Sequence, residues 1–127
     1  MYKTKIKEKY QDAFKSFWWS NSGNDEFDVV MTMGNMSLLY CDETGLLLDI
    51  YNNKIERFEK IITPPEIIVE AKNIQYADRF NLQGTYKIVG FTDDDPVLLR
   101  LQDVEGVERE HLMLPSRLTV VSVGYKE

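Results

Sequence analysis

One cysteine, Cys41, and one histidine, His111, are all that 127 residues offer of the two side chains that most often carry covalent and metal chemistry. A single thiol cannot close an internal disulfide, and one imidazole with one thiol cannot build a multi-residue Cys/His zinc site. A reducing compartment is the expectation. The seven glycines are dispersed and form neither a dinucleotide fingerprint nor a P-loop, so a nucleotide-dependent enzyme is not expected. Long apolar runs are also missing. The longest pieces, such as Leu46-Leu47-Leu48, are strand-sized and far short of the roughly 18 residues that span a bilayer. Residues 1–7 carry lysines with no apolar stretch behind them, which argues against a signal peptide and for the cytoplasm.

What is present suits a folded domain. At 14.9 kDa and 43% hydrophobic residues, the chain can bury roughly two thirds of the surface its unfolded form exposes, without a covalent staple. Fifteen basic against twenty-one acidic residues leave a net charge of −6, which disfavours nucleic acid and anionic membrane as partners. The charge is unevenly laid out. Residues 1–20 hold five lysines against two acids, whereas residues 21–127 hold ten basic against nineteen acidic groups.

Read at about 100° per residue, Tyr2, Ile6, Tyr10, Ala13, Phe14, Phe17 and Trp18 fall within an arc of roughly 160°. The expectation is an amphipathic helix over the first twenty residues, with Trp19 turned away from the core. Residues 20–26 break it. Strands are then expected at 27–33, 36–41 and 46–51, separated by Gly34-Asn35 and by Asp42-Glu43-Thr44-Gly45. Asn52-Asn53 reads as a tight hairpin turn leading to a further strand from Lys54 through Phe58. Thr63-Pro64-Pro65 is the internal boundary. Beyond it, five short strands at 66–72, 84–91, 97–103, 107–114 and 118–123 imply a small barrel.

The end of the chain, from Arg109 through Leu114-Pro115-Ser116 to Val121, is similar in layout to SH3 domains, where a strand enters a proline-containing 3-10 turn and then the last strand. The resemblance extends in strand order over Glu66 to Gly124 and implies a five-stranded SH3-like barrel. It does not extend to proline-peptide binding. That groove needs a tryptophan after the second loop and an aromatic residue in the last strand. Both tryptophans lie near the N-terminus, and Leu118 stands where the family usually carries tyrosine.

The fold class expected is therefore α+β, mainly β: residues 1–62 as an N-terminal helix on an antiparallel sheet, and residues 66–124 as an SH3-like barrel, either as two parts or as one continuous domain. Catalytic chemistry has little to stand on. Cys41 sits in an apolar strand, and a Cys41 to His111 dyad has no local support. Asp93-Asp94-Asp95 lacks the ligand spacing of a calcium loop. No enzyme activity, cofactor or metal is expected. The expected function is non-catalytic protein binding, as an accessory or inhibitory factor whose acidic surface meets a basic partner, including a nucleic-acid-handling protein blocked by phosphate mimicry of the kind bacteriophage inhibitors use. The contact residues expected are Trp19, Asp93, Asp94, Asp95, Glu105 and Glu108. A structural or assembly component of a phage or bacterial complex and, third, a Cys41-dependent enzyme remain the alternatives.

Overall fold

The computed structural model describes residues 2–10, 26–42, 45–75, 81–92, 97–105 and 110–124. The chain divides between Pro64 and Pro65 into two compact units. Both are built on antiparallel sheet, and the protein is mainly β.

The first unit is a four-stranded sheet in the order β1-β2-β3-β4, formed by Tyr2–Lys5, Glu26–Met33, Met36–Cys41 and Leu46–Tyr51. Gly34 turns the chain between β2 and β3 with a φ of 57°, a conformation that costs a residue without a Cβ little. Four successive residues of β3, Met36 to Leu39, are buried, so this central strand is covered on both faces. β2 meets it with a bulge. Val29 pairs with Leu39 and Met31 with Leu38, which leaves Val30 as an extra residue and lets three consecutive apolar side chains be buried. On one face Ile6, Phe27, Val29, Leu39, Cys41 and Ile50 form a core that Ile55 completes.

The expected N-terminal helix is overturned over residues 2–6. Tyr2–Lys5 is a strand paired with β2, from Tyr2 opposite Val29 to Lys5 opposite Glu26, and Ile6 forms a bridge to Ile55. Tyr2, Ile6 and Tyr10 are spaced by four, a multiple of the strand period as well as a near-match to a helical turn. Lys3, Lys5 and Lys7 alternate with Tyr2, Thr4 and Ile6, which is the half-buried strand pattern. Tertiary partners then decide the outcome, because the strand form hydrogen-bonds on both sides. Of the remainder of the expected helix, residues 8–10 are helical and residues 11–20 lie outside the described residues.

The second partner of β1 is the segment after β4, where a further strand from Lys54 to Phe58 was expected. Asn52–Lys54 is instead a 3-10 turn that carries the chain away from β4. The Asn52 side chain fixes this turn. Its Nδ2 donates to the Gly34 carbonyl at 3.2 Å and its Oδ1 accepts from the buried Ser37 hydroxyl, while its backbone N–H donates to the Asn35 carbonyl at 2.8 Å. Released across the sheet, the chain lies along the free edge of β1. Lys7 N–H donates to the Lys54 carbonyl at 2.9 Å, Glu56 N–H to the Lys5 carbonyl at 2.8 Å, and Arg57 N–H to the Thr4 hydroxyl at 2.9 Å. Farther along, the Tyr2 hydroxyl bonds to the Glu59 backbone and Ile61 N–H donates to the Thr32 hydroxyl at 3.0 Å.

The second unit is a five-stranded sheet of β5 (Glu66–Gln75), β6 (Asn81–Phe91), β7 (Leu99–Asp103), β8 (Glu110–Met113) and β9 (Thr119–Gly124). Their order is β8-β7-β6-β5-β9. The expected closed barrel is the second correction: among the described residues no pairing joins the edge strands β8 and β9, so what the structure shows is a five-stranded antiparallel sheet and not a closed barrel. The 3-10 turn Pro115–Arg117 carries the chain from one edge of the sheet to the other, so β9 adds beside β5 rather than beside β8. Ile67, Val69, Phe91, Leu99, Leu101 and Leu118 are fully buried in this unit. Bulges at Val89 in β6 and Val121 in β9 release these two valines from the ladder, and both are exposed. Among the described residues no helix is long and apolar enough to cross a membrane.

Truncation of Ile6 tests the strand assignment. Ile6→Ala should lower the stability of the protein by about 2–5 kcal/mol in urea unfolding, the usual cost of emptying a buried aliphatic site. An unchanged midpoint would place Ile6 outside the core.

Candidate functional site

The residues expected to meet a partner are only partly placed. Trp19, Asp93, Asp94, Asp95 and Glu108 lie outside the described residues. Glu105 is exposed in the turn that follows β7. With Thr85, Asp103 and Val104 it lines an open recess of about 390 Å³. Register explains the grouping: Asp103, the last residue of β7, pairs with Tyr86 of β6, which places Thr85 beside the start of the turn. Two carboxylates thus flank Val104, whose side chain is 51% exposed. An exposed aliphatic group between two acids can receive a cation carried on an apolar stem.

The candidate nucleophile and its candidate base fall in different units. Cys41 is 2% exposed and belongs to the apolar core of the first sheet. His111 lies opposite Leu101 on the core-facing side of β8, in the second unit, rather than on a charged outer face. Its ring meets Tyr86 edge-on, with centroids 5.3 Å apart and planes inclined at 69°. The Tyr86 hydroxyl donates to the Gln83 carbonyl at 3.1 Å, which fixes that ring. This is packing chemistry. Among the described residues no three His, Cys, Asp or Glu side chains are grouped so that they could hold a metal ion.

Two groupings escaped the sequence reading. The first is a row of titratable side chains across the first sheet, Lys3 opposite Asp28 and Asp28 opposite Tyr40. Lys3 Nζ lies 3.6 Å from the Asp28 carboxylate, which raises the lysine above its ordinary value, with Asp42 adding to the effect. Burial pushes the Tyr40 phenol up, and the Asp42 and Asp28 carboxylates push it further the same way. A tyrosine held neutral in this way is a hydrogen-bond donor and not a base. The alternation of 2–7 and 26–33 carried the signal, but only the pairing register shows that the three residues face one another.

The second is a recess of about 500 Å³ at the end of the first sheet, lined by Gly34, Asn35, Tyr51, Asn52, Asn53 and Phe58. The β2–β3 turn supplies one wall and the 3-10 turn another. The crossing segment brings in Phe58. Tyr51 and Phe58 are 50% and 44% exposed. None of the six lining residues is charged.

Comparison of the chain with protein-family models, with curated proteins and with solved structures finds no match. The class defined by the fold is a mainly β protein of two antiparallel sheets, and its function has to be argued from its own surfaces.

Two measurements check this description. Because both raised pKa values belong to groups whose protonated form the fold favours, their stabilisation is complete below the ordinary lysine and tyrosine values of 10.5 and 10.0 and declines as pH rises past them. Phenolate absorbance should therefore show a tyrosine titrating above the ordinary value of 10.0 that Tyr40→Phe removes, and Asp42→Asn should lower that titration only partway, since burial is the larger cause. Alkylation of Cys41 by iodoacetamide should be slow in the native protein and fast in denaturant.

Proposed function

We propose that this protein is a non-catalytic binding factor that docks a basic partner through the acidic turn after β7. The single observation that supports the reading is the recess in which Asp103 and Glu105 flank the exposed Val104. A lysine or arginine side chain has an aliphatic stem that can lie on Val104 and a cationic head that either carboxylate can receive. Each exposed ion pair contributes little, about 0–1 kcal/mol, so useful affinity comes from several such contacts together with long-range attraction. The excess of nineteen acidic over ten basic groups in residues 21–127 provides that attraction, and Asp93 to Asp95 and Glu108 belong to it. The buried position of Cys41 also favours binding over covalent catalysis. A phosphate-mimicking inhibitor of a nucleic-acid-handling protein is the more particular form of this proposal.

An arginine-rich peptide titrated into the full chain provides the test, followed by amide NMR. Signals of Thr85, Val104 and Glu105 should shift, the affinity should fall as salt is added, and Asp103→Asn with Glu105→Gln should weaken binding about tenfold. Shifts that avoid this turn, or an affinity indifferent to both salt and the double substitution, would overturn the proposal.

A further inference from the structure

The uncharged recess of the first unit has a different chemistry from the acidic turn, and its parts are held in place by the fold. Tyr51 closes β4, and Lys54 stands over its ring, with Nζ 5.6 Å from the centroid. Phe58 lies on the crossing segment, which hydrogen bonds from Arg57 to Thr4 and from Glu59 to Tyr2 anchor on either side of it. The asparagines that share the lining with these rings are of two kinds. Asn52 is committed to the fold through Gly34 and Ser37. Asn35 and Asn53 are exposed, and among the described residues no hydrogen bond engages their side-chain amides.

Two half-exposed aromatic rings beside two unengaged carboxamides make a matched set for one ligand class. Each carboxamide offers both donors and an acceptor. Vicinal hydroxyl groups likewise donate and accept, and the C–H faces of a sugar ring lie flat on an aromatic ring. The six lining residues carry no charge, which suits a neutral ligand, and an acidic sugar or phosphate ester would have to draw on Lys54 beside the Tyr51 ring to offset its desolvation. A proline-rich peptide would use the rings but presents only backbone acceptors at its prolines, leaving the carboxamide oxygens without partners. The recess, at about 500 Å³, lies within the size range of small-ligand sites. We propose that Tyr51, Phe58, Asn35 and Asn53 form a binding site for a neutral saccharide, with the rings as the stacking surface and the two asparagine amides reading adjacent hydroxyls.

The experiment uses the full chain and three probes, cellobiose, maltose and N,N′-diacetylchitobiose, at millimolar concentration, with NMR signals of the asparagine side-chain amides and the aromatic rings as the readout. At least one probe should shift Asn35, Asn53 and the Tyr51 and Phe58 rings together and saturably. Phe58→Ala should weaken that probe about tenfold, Asn53→Ala should weaken it as well, and Tyr51→Phe, which keeps the ring, should retain it. Asn53 is an exposed residue, so its variant remains informative should Phe58→Ala fold poorly. The proposal is overturned if none of the three sugars moves these signals, if a proline-rich peptide moves them in their place, or if affinity survives both alanine substitutions.

Discussion

Capture of β1 between two partners is the constraint on which the first unit depends. A strand of four residues with an open edge presents unpaired N–H and C=O groups and has little stability of its own. Here β2 takes one side of β1, and residues 54–57 take the other through the Ile6–Ile55 bridge and the hydrogen bonds around it. Thr4 and Ile6 are buried as a consequence. So is Ile55, which the turn at Asn52–Lys54 delivers to the core. The same crossing segment carries Phe58, so the hydrogen bonds that hold it to β1 also position one of the residues lining the recess.

That dependence links a small number of polar groups to the surface chemistry. Asn52 would leave the Ser37 hydroxyl without its acceptor if its side chain were removed, and a buried polar group without a partner is costly. Its amide therefore specifies where β4 ends and where the chain goes next. In the second unit the comparable devices are bulges and the proline turn. Pro115 opens a 3-10 turn that places β9 beside β5, and the extra residues Val89 and Val121 release the ladder where side chains leave the core. The acidic turn and the uncharged recess are both located at ends of strands, where backbone leaves the ladder and side chains can converge on a ligand.

Much of the strand content was legible in the residues. Met36–Cys41 and Leu46–Tyr51 coincide with the runs bounded by Gly34-Asn35, Asp42 to Gly45 and Asn52-Asn53, because punctuation by turn-forming residues is a local property. In the second unit all five strands lie where short apolar runs were expected, with ends that differ by a few residues. The N-terminus was misread for a definite reason. A spacing of four satisfies both periods, and the choice between them is made by the hydrogen-bonding partners rather than by the pattern. Asn52-Asn53 was misread because an asparagine amide can serve a hairpin or a 3-10 turn, and the partners that decide, Gly34 and Ser37, lie fifteen and more residues earlier. Of the candidate contact residues, Glu105 was legible as an exposed acid, whereas its grouping with Asp103 and Thr85 needs the β6–β7 register.

By itself the sequence determined the poverty of thiol and imidazole, the opposite charge of its first twenty residues and its remainder, the turns and the strand-sized apolar runs. These follow from composition and from interactions a few residues long. Tertiary structure alone decided that residues 2–5 are a strand, that the chain crosses from β4 to the edge of β1, that β9 pairs with β5, and that Tyr51 and Phe58 line one recess while Asp103 and Glu105 line another. Each of those outcomes rests on hydrogen bonds and burial between residues far apart in the chain, and such partners compete with local preference on energies that the local pattern does not contain.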